Sequence, residues 1–376
     1  MKKITLAGAA LLASTAIATA GGVERSAQSV AILFEEGTYA EFSFAWVDPD
    51  VSGVSQIPFG PSPAGSMSGD IAPSYTTLSF GYRRDLTDQL SMALIYDNHI
   101  GADVNYSPSA YLYGAGAGST AEIEGNSLTA LLRYEFPSNF SVYGGARISR
   151  VSGDVALFNG YTMTSDTSTA YGWVLGAAYE RPDIALRVAL TYNSAIDHDF
   201  DVLEAGLFNT TFSTTIPESV NLEFQSGVAE NTLVFGSIRW VNWPQFDITP
   251  DVFSDGVPNG LYGPNSLVDY DNPSTTYTIG VGRRFNENWS GSLSYVYEES
   301  QGGFSGNLGP TDGRQGVGLG LRYETGSGMS ISGGVQYSWI GSAVTEAPAP
   351  APAGTTYGAF SGSTSIAAGL RVGFNF

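Results

Sequence analysis

A strand-like alternation of side chains runs through almost the entire chain. At the carboxyl end, Val372, Phe374 and Phe376 fall on one face. Arg371 and Asn375 fall on the opposite face. A period of two places successive side chains on opposite sides of a β-strand. Thirteen earlier segments show the same period, so the sequence predicts fourteen strands, an even number.

The links between these segments alternate strictly between two kinds. Tight turns occur at 84–88, 136–139, 181–183, 228–231, 285–288 and 325–328. Longer links, rich in Gly, Pro, Ser and Asn, occur at 49–71, 98–121, 157–168, 201–215, 249–273, 300–313 and 342–359. An up-and-down barrel gathers its short connections at one end and its long connections at the other. The sequence therefore predicts an all-β fold, a 14-stranded antiparallel transmembrane β-barrel of the outer-membrane type.

The apolar faces of the predicted strands indicate contact with lipid. Each strand reaches about ten residues, the length that crosses a bilayer at a tilt. Aromatic residues such as Trp46, Tyr134 and Trp289 lie near strand ends, where interfacial girdles belong. The opposite face carries Gly, Ser, Thr and Arg, which suit a wet lumen better than the core of a soluble sandwich. The arginines expected in the lumen are Arg133, Arg147, Arg187, Arg283, Arg322 and Arg371.

The amino-terminal residues have the pattern of a secretory signal peptide. Lys2 and Lys3, the only lysines in the chain, precede an apolar stretch that ends in small residues. A basic start, an apolar core and a small-residue cleavage site define such a peptide. The expected division of the chain is a signal peptide at 1–20, a short amino-terminal segment at 21–37 and the barrel at 38–376.

Charge and residue usage exclude several classes of function. The chain of 376 residues has a formal net charge of −20, which opposes nucleic-acid binding. It contains no cysteine, so disulfides and thiolate chemistry are excluded. The aromatic Phe376 resembles the signal that the outer-membrane barrel-assembly machinery reads. Export and this terminal residue together predict the outer membrane of a Gram-negative bacterium as the location.

Several segments are similar to the FadL family of outer-membrane long-chain fatty acid transporters. The stretch "FSFAWVDPDVSG" (Phe42–Gly53) carries an Asp-Pro-Asp-Val motif. The stretch "TTIPESVNLEFQSGVAENTLVFGSIRWVNWPQFD" (Thr214–Asp247) has an Ile-Pro-Glu entry and a Trp-x-x-Trp-x-x-Phe exit. Ala185–Phe200 and the final strand resemble the family as well. The resemblance extends over the mature chain from about residue 28.

This resemblance implies an architecture and a route. Family members have a fourteen-stranded barrel, an amino-terminal hatch in its lumen, loops that capture a hydrophobic ligand, and an inward kink in the third strand. Ligand leaves sideways through the kink into hydrocarbon, where each buried CH₂ is worth about 0.8 kcal/mol. Here Gln28-Ser29-Val30 stands where the family has Asn-Pro-Ala, so the hatch is expected to be reduced. The third long loop, "LFNGYTMTSDT", is also shorter than in the family.

The third strand contains residues that match the kink of the family. The apolar alternation breaks at Asp97, Asn98 and His99, and Gly101 permits unusual backbone angles. The resemblance implies that these four residues lie beside a lateral opening. The other interpretation is that the strand simply ends here and runs into its loop.

Two long loops offer an apolar surface for ligand capture. The fourth long loop supplies most of it, and the shortened third loop completes it. The other interpretation is that each loop packs a small core of its own. The candidate capture residues are Leu203, Leu207, Phe208 and Phe212, together with Phe158, Tyr161 and Met163.

The sequence contains no recognisable catalytic set. An outer-membrane lipase would need a Ser–His pair on the outer wall, and neither His99 nor His198 has a clear neighbour of that kind. Neither a G-x-S-x-G elbow nor a nucleotide-binding loop is present. His198 lies between Asp197 and Asp199, a pattern that a metal site and a solvated strand end both explain. The sequence predicts that the protein is not an enzyme and binds no metal or cofactor.

The expected function is uptake of long-chain fatty acids or other hydrophobic small molecules by a monomer. The main alternative is a general or cation-preferring diffusion porin, because the hatch is short and the chain is acidic. The interpretation as a surface adhesin or phage receptor is supported by the long loops alone. The interpretation as a soluble secreted all-β protein is supported by the alternation alone. Expected partners are an apolar small molecule, the lipid bilayer, lipopolysaccharide and the barrel-assembly machinery. The sequence does not separate fatty acids from aromatic hydrocarbons as cargo.

Overall fold

The chain folds around one large antiparallel sheet. A computed structural model describes residues 23–255, 266–348 and 350–376, and the expected signal peptide at 1–20 lies outside these ranges. Fourteen strands of the sheet close into a barrel. In chain order, barrel strands 1 to 14 are Tyr39–Asp50, Tyr75–Asp85, Leu90–Tyr106, Ser119–Glu135, Phe140–Ala156, Ser168–Arg181, Leu186–Asn193, Ser219–Ala229, Thr232–Val241, Ser274–Arg284, Trp289–Glu298, Arg314–Glu324, Met329–Ile340 and Thr364–Asn375.

Pairing of the first and last barrel strands closes the ring. They run antiparallel in continuous register from Tyr39 opposite Asn375 to Asp50 opposite Thr364. The main-chain N–H of Phe376 continues the pairing by donating to the carbonyl oxygen of Thr38 at 2.9 Å. The prediction of an all-β, fourteen-stranded antiparallel barrel is therefore confirmed.

The alternation within each strand places apolar side chains on the outside of the barrel. In barrel strand 1, Phe42, Phe44 and Trp46 are exposed on the outer face. The intervening Ser43 and Ala45 are buried inside. Burying large apolar side chains stabilises a soluble fold, whereas an outward apolar band suits a barrel surrounded by hydrocarbon.

Aromatic pairs mark both rims of the barrel. At the end that carries the tight turns, the ring centroids of Trp289 and Tyr323 are 4.9 Å apart. At the end that carries the long loops, those of Tyr337 and Trp339 are also 4.9 Å apart. Aromatic rings at both edges of an apolar band form the interfacial girdles of membrane barrels.

The long loops contain further secondary structure. Their strands are Ser52–Ser55, Met67–Asp70, Thr162–Ser165, Ile196–Glu204, Phe208–Ile216, Asp247–Ile248, Val268–Asp269, Phe304–Ser305, Ala343–Glu346 and Thr356–Phe360. The described helices are the 3₁₀ turns Ala31–Phe34, Leu112–Gly114, Pro182–Ile184 and Trp243–Gln245 and the α-helix Asp251–Asp255. Crossing a membrane takes a longer and more apolar helix than any of these.

The fourth long loop differs from the sequence prediction. The alternation predicts one strand at 184–200 and a loop at 201–215. In the structure, barrel strand 7 ends at Asn193, and Ile196–Glu204 pairs with Phe208–Ile216 as a hairpin, called the loop hairpin below. The pattern of buried and exposed residues continues unbroken through its first strand. A period of two identifies a strand but not its partner, so the prediction merged two strands.

Three large clusters of buried apolar residues and a small one around Val47 and Ala367 occupy the interior. The first, at the long-loop end, includes Ile100 of barrel strand 3 and Phe200 of the loop hairpin. The second includes Tyr357 and lies against the five-stranded sheet that the loops build. The third surrounds Leu33 and includes Tyr143 of barrel strand 5. The lumen is thus filled by the loops at one level and by the amino-terminal residues at another.

Candidate functional site

A β-bulge interrupts barrel strand 3. Asp97 pairs with Ser127 of barrel strand 4, and the register then shifts before Ile100 pairs. Asn98 and His99 therefore stand together where a regular ladder has one residue. Because the strand continues beyond them, the break in alternation is a bulge within a long strand and not its end.

The bulge coincides with a gap between barrel strands 2 and 3. The ladder between these strands extends as far as Ser79 opposite Asp97. One residue further on, the side-chain oxygen of Asn98 accepts a hydrogen bond from the main-chain N–H of Leu78 at 2.8 Å. Beyond this contact, the two strand edges do not pair with each other within the described residues. The edge of barrel strand 3 is left open to other partners.

The amino-terminal segment, residues 23–37, covers this open edge. The main-chain N–H of Arg25 donates to the carbonyl oxygen of His99 at 3.0 Å. The N–H of Gly101 donates to the carbonyl oxygen of Val23 at 2.8 Å. These are the bonds of a short strand added to a sheet edge.

Side chains strengthen the same contact. The Arg25 guanidinium pairs with the Asp103 carboxylate, with 2.7 Å between Nη2 and Oδ2. Its central carbon lies 3.2 Å from the ring centroid of Tyr75, on the opposite side of the gap. The hydroxyl of Ser26 donates to Asp97 at 2.7 Å. The segment therefore binds both edges of the gap.

Gly101 contributes through its small size. Its φ is not in the left-handed region, so the expectation of unusual backbone angles at this position is wrong. A Cβ atom here would lie 3.0 Å from Nε of Arg25 and 3.1 Å from the carbonyl oxygen of Ile123. The glycine leaves room for the arginine of the amino-terminal segment.

Arginines on the inner faces of the barrel hold the amino-terminal segment in the lumen. Arg147, one of the predicted lumen arginines, donates to the side chain of Gln28. Arg239 was not among the predicted residues, and its Nε lies 3.0 Å from both carboxylate oxygens of Glu24. Arg239 shares the alternation of its strand with other inward residues, so the sequence did contain a signal for it.

Two more predicted arginines contact the 3₁₀ turn Ala31–Phe34. Arg133 donates from Nη1 to the carbonyl oxygen of Leu33 at 3.3 Å. The guanidinium carbons of Arg133 and Arg187 each lie 4.6 Å from the ring centroid of Phe34. A guanidinium over an aromatic face is attracted by the ring quadrupole, and this attraction strengthens when both groups are shielded from water.

Of the remaining predicted arginines, Arg322 and Arg371 face the interior and Arg283 does not. Arg283 is exposed on the outer face, two residues after the exposed Val281. Consecutive residues of a strand take opposite faces, so the inward position belongs to Arg284. The prediction that Arg283 lines the lumen is therefore wrong. It assigned the inward position to the first arginine of the Arg-Arg pair instead of the second.

An apolar cavity lies at the long-loop end of the barrel. It contains about 720 Å³ of empty space, part of which is open solvent. Phe200 and Phe212 of the loop hairpin stack with their centroids 5.1 Å apart. Among the described residues of the lining, Glu122 is the one that carries a charge. The apolar residues of the lining include Ile100, Val151, Met163, Phe200, Phe212 and Phe246.

The predicted capture residues do not form one surface. Met163 and Phe212 line the cavity, and Tyr161 is buried in the cluster around it. The others lie elsewhere: Phe158 against the second cluster, Phe208 partly buried at the start of the second hairpin strand, and Leu203 and Leu207 exposed.

Sequence reasoning missed several residues of the cavity. Phe200 follows Ile196 at the period of two and is buried with it. Counting the strand through to Glu204 would have found Phe200. Phe246 is the last residue of the Trp-x-x-Trp-x-x-Phe motif, which the sequence marked without assigning a role. Ile248 carries no comparable signal in its loop.

A buried carboxylate joins the loops around the cavity. Glu204 is fully buried and accepts hydrogen bonds from the hydroxyl of Tyr161, at 2.7 Å, and from Thr210. It also accepts from the main-chain N–H groups of Val252 and Phe253, at 3.2 and 3.1 Å. These donors belong to the third, fourth and fifth long loops. One side chain thus fixes three loops relative to each other.

Two further cavities lie between the apolar cavity and the gap in the barrel wall. The first, of about 730 Å³, shares Val23 and Tyr270 with the apolar cavity. The second, of about 520 Å³, shares Arg25 with the first and is also lined by Leu78 and Asn98. Each of the three cavities thus shares lining residues of the amino-terminal segment with the next, and Asn98 of the bulge lines the last one.

The two histidines meet at a serine. The hydroxyl oxygen of Ser149 lies 2.9 Å from Nε2 of His99 and 2.9 Å from Nε2 of His198, and all three side chains are buried inside the barrel and not on its outer wall. A hydrolase triad also needs an acid on the second ring nitrogen. Nδ1 of His99 has no partner among the described residues, and Nδ1 of His198 bonds to Ser168 at 3.1 Å. The set lacks that acid.

The aspartates beside His198 do not converge on it. Asp197 accepts a hydrogen bond from Thr215 at 2.8 Å, and Asp199 accepts one from Ser213 at 2.6 Å. Across residues 23–255, 266–348 and 350–376, no three His, Asp or Glu side chains gather as a metal-binding group.

Comparisons with solved structures identify the class of fold. The chain is similar to a Pseudomonas aeruginosa FadL homologue, with a TM-score of 0.74, 15% identity and 92% of each chain covered. It is also similar to the Pseudomonas putida toluene transporter TodX, with a TM-score of 0.64, 11% identity, and 96% of this chain and 99% of that chain covered. For the Ralstonia pickettii toluene transporter TbuX, the TM-score is 0.61 at 10% identity, with 95% and 96% covered.

The chain therefore has the FadL-type barrel fold, and the resemblance in its sequence is confirmed at the level of the fold. No protein-family model matches the sequence, and no curated protein matches it.

Proposed function

We propose that this protein takes up hydrophobic small molecules across the outer membrane of a Gram-negative bacterium. The apolar cavity, joined by shared lining residues to a gap in the barrel wall, is the observation that carries this proposal. The outward apolar faces and aromatic rims support a place in a membrane. The similarity in fold to a FadL homologue and to two toluene transporters supports the transport of apolar compounds.

The proposed route begins at the long loops and ends in the wall. Cargo enters the apolar cavity, passes the amino-terminal segment near Val23 and Arg25, and leaves sideways at Asn98. This exit delivers the cargo directly into hydrocarbon. Each CH₂ that avoids water on the way contributes about 0.8 kcal/mol, so an apolar molecule has no reason to enter the aqueous space beneath the barrel.

The lining of the cavity favours a neutral cargo over a fatty acid anion. A carboxylate that leaves water without a cationic partner loses several kcal/mol, on the order of the penalty for an unpaired buried ion. The described lining contains neither Arg nor Lys, so it offers no cationic partner to such a headgroup. In the adjoining cavity, Arg25 already pairs with Asp103. A neutral aromatic or aliphatic hydrocarbon needs no such partner.

Uptake measurements test this function. Cells with and without the protein are given labelled toluene or labelled oleate, and we expect protein-dependent uptake of toluene that exceeds that of oleate. Deleting Asn98 removes the extra residue of the bulge and allows a continuous ladder. We expect this deletion to reduce toluene uptake to the level of cells that lack the protein.

The matched control is deletion of Gly302, which is exposed and lines none of the three cavities. This variant should transport toluene as the unmodified protein does. If toluene uptake does not depend on the protein while ion conductance does, the diffusion porin is the correct alternative. If uptake depends on the protein but survives deletion of Asn98, the lateral exit is wrong.

A further inference from the structure

The only two histidines of the chain come from different parts of the site and meet at one hydroxyl group. His99 belongs to the bulge in barrel strand 3, and His198 belongs to the loop hairpin. Ser149, on the inner face of barrel strand 5, lies between them at 2.9 Å from each ring. All three side chains are fully buried. Since water does not reach these groups, each hydrogen bond among them counts toward the stability of the arrangement.

The inventory of donors and acceptors gives this contact a direction. A serine hydroxyl has one proton, so Ser149 donates to one imidazole and accepts from the other. Nδ1 of His99 has no partner within the described residues. An unprotonated Nδ1 without a donor destabilises the fold less than a buried Nδ1–H without an acceptor. His99 therefore carries its proton on Nε2 and donates to Ser149. Ser149 then donates to Nε2 of His198, and Nδ1–H of His198 donates to Ser168 at 3.1 Å.

Both ends of this chain of hydrogen bonds touch the proposed route. At one end, His99 lies between Asn98, whose side chain bonds to the facing strand across the gap, and Ile100, which lines the apolar cavity. At the other end, the ring of His198 stacks near Phe200, with 5.8 Å between centroids, and Phe200 lines the same cavity. The hydroxyl of Ser149 therefore joins the loop hairpin to the bulge.

We propose that Ser149 is a positioning residue that fixes the loop hairpin against the bulge, so that the wall of the cavity and the gap in the barrel are set together. This proposal rests on the proposed function for its consequence in transport, but its structural part can be measured independently. Its structural part predicts two neutral imidazole rings of opposite tautomer, with the proton on Nε2 of His99 and on Nδ1 of His198.

The arrangement requires a neutral His198, whose Nε2 accepts the proton of Ser149, and it favours a neutral His99, whose Nδ1 has no acceptor for a second N–H among the described residues. The charged groups near His99 are Asp97 and Arg147, and those near His198 are Asp197 and Asp199. A doubly protonated ring has only donors, so acid removes the acceptor on His198 that Ser149 needs. We therefore expect transport to fall at a pH low enough to protonate these rings, and this acid sensitivity to depend on Ser149.

Nitrogen-15 NMR of the purified full-length protein, labelled at histidine only, tests the structural part. With two histidines in the chain, the spectrum contains four ring nitrogens. At pH 7.5, we expect two neutral rings of opposite tautomer, assigned through His99→Gln and His198→Gln. Ser149→Ala should shift the resonances of both rings. Ser141→Ala, on the same strand and inner face and bonded to Arg133, should shift neither.

The same variants are then compared in toluene uptake. Ser149→Ala should lower uptake and flatten its dependence on pH, and Ser149→Thr, which keeps the hydroxyl, should restore both. Two rings of the same tautomer, a charged ring at pH 7.5, or unchanged spectra in Ser149→Ala would overturn the hydrogen-bond chain. Altered spectra with unchanged uptake would overturn the positioning role. If the unmodified protein takes up no toluene, the proposed function fails, whereas the NMR result still decides the chain.

Discussion

The arginines of the lumen act as anchors for the chain itself. In the sequence they predict a charged, wet interior. In the structure, the guanidinium groups of Arg147 and Arg239 bind side chains of the amino-terminal segment, and that of Arg133 binds its main chain. A planar guanidinium presents several donors in fixed directions and also stacks on aromatic rings, so one residue type serves all of these contacts. Three arginines thus bind the amino-terminal segment inside the barrel.

Glu35 of the amino-terminal segment gives this anchoring a pH dependence. Burial raises the pKa of Glu35 to about 7 from its usual 4.5, and the charge of Glu41 adds to the rise, while Arg322, Arg187 and Arg371 oppose it. The folded pKa lies above the unfolded pKa. The contribution of protonated Glu35 to the stability of the folded state is therefore fully present at low pH. It is lost as the pH rises from about 4.5 through 7.

Replacing Glu35 by Gln should therefore stabilise the protein at pH 8.5, by on the order of 2–3 kcal/mol, and have little effect at pH 5. Thermal unfolding in detergent at the two pH values measures this difference. Glu36→Gln is the control, because Glu36 is exposed beside it and should show no such contrast. A Glu35→Gln variant that unfolds earlier at pH 8.5 than the unmodified protein would contradict the burial of this carboxyl group.

At the scale of elements, close packing of barrel strands depends on particular glycines that look alike in the sequence. A Cβ atom at Gly145 would lie 1.8 Å from the carbonyl oxygen of Ala130 on the adjacent strand. At Gly333, the nearest atom would be the carbonyl oxygen of Gly369 at 3.8 Å, an ordinary contact. Both glycines occur within alternating segments, so their different roles follow from strand coiling and not from the local pattern.

Gly145→Ala should therefore disrupt pairing between barrel strands 4 and 5, with a loss of more than about 2 kcal/mol or a failure to fold. Gly333→Ala should change stability by about 0.5 kcal/mol or less. The yield of folded barrel, read from the shift in electrophoretic mobility on heating, and the unfolding temperature measure both. Equal behaviour of the two variants would show that the close approach at Gly145 does not constrain the barrel.

At the scale of the whole molecule, the sequence predicts the parts that depend on local patterns. Fourteen strands and the alternation of turns follow from period and composition. The sequence shows the bulge as broken alternation at Asp97–His99. It does not show that the strand continues beyond these residues. Contacts between distant residues left no such trace. Arg25 binds Asp103 of barrel strand 3, and Ser52–Ser55 pairs with Thr356–Phe360 in a sheet made from three loops.

The candidate site was predicted in part for the same reason. Met163 and Phe212 were found because they are apolar and lie in loops, but Leu203 and Leu207 are equally apolar and face outward. Composition names the residues that could line a cavity. The side of the hairpin they occupy depends on its register with neighbouring loops, which pairs residues far apart in the chain.

The amino-terminal segment has a consequence for the barrel as a whole, because it occupies the lumen that a diffusion porin would leave open. Its contacts with Arg147, Arg239 and Arg133 hold it there. The unmodified protein should therefore give no steady ion conductance in planar bilayers. Deleting residues 23–35 while keeping residues 1–22 should create a conducting pore, because it removes both the chain in the lumen and the cover of the gap. Heat-dependent mobility establishes that the deletion variant is still a folded barrel, and conductance of the unmodified protein equal to that of the variant would favour the porin over the transporter.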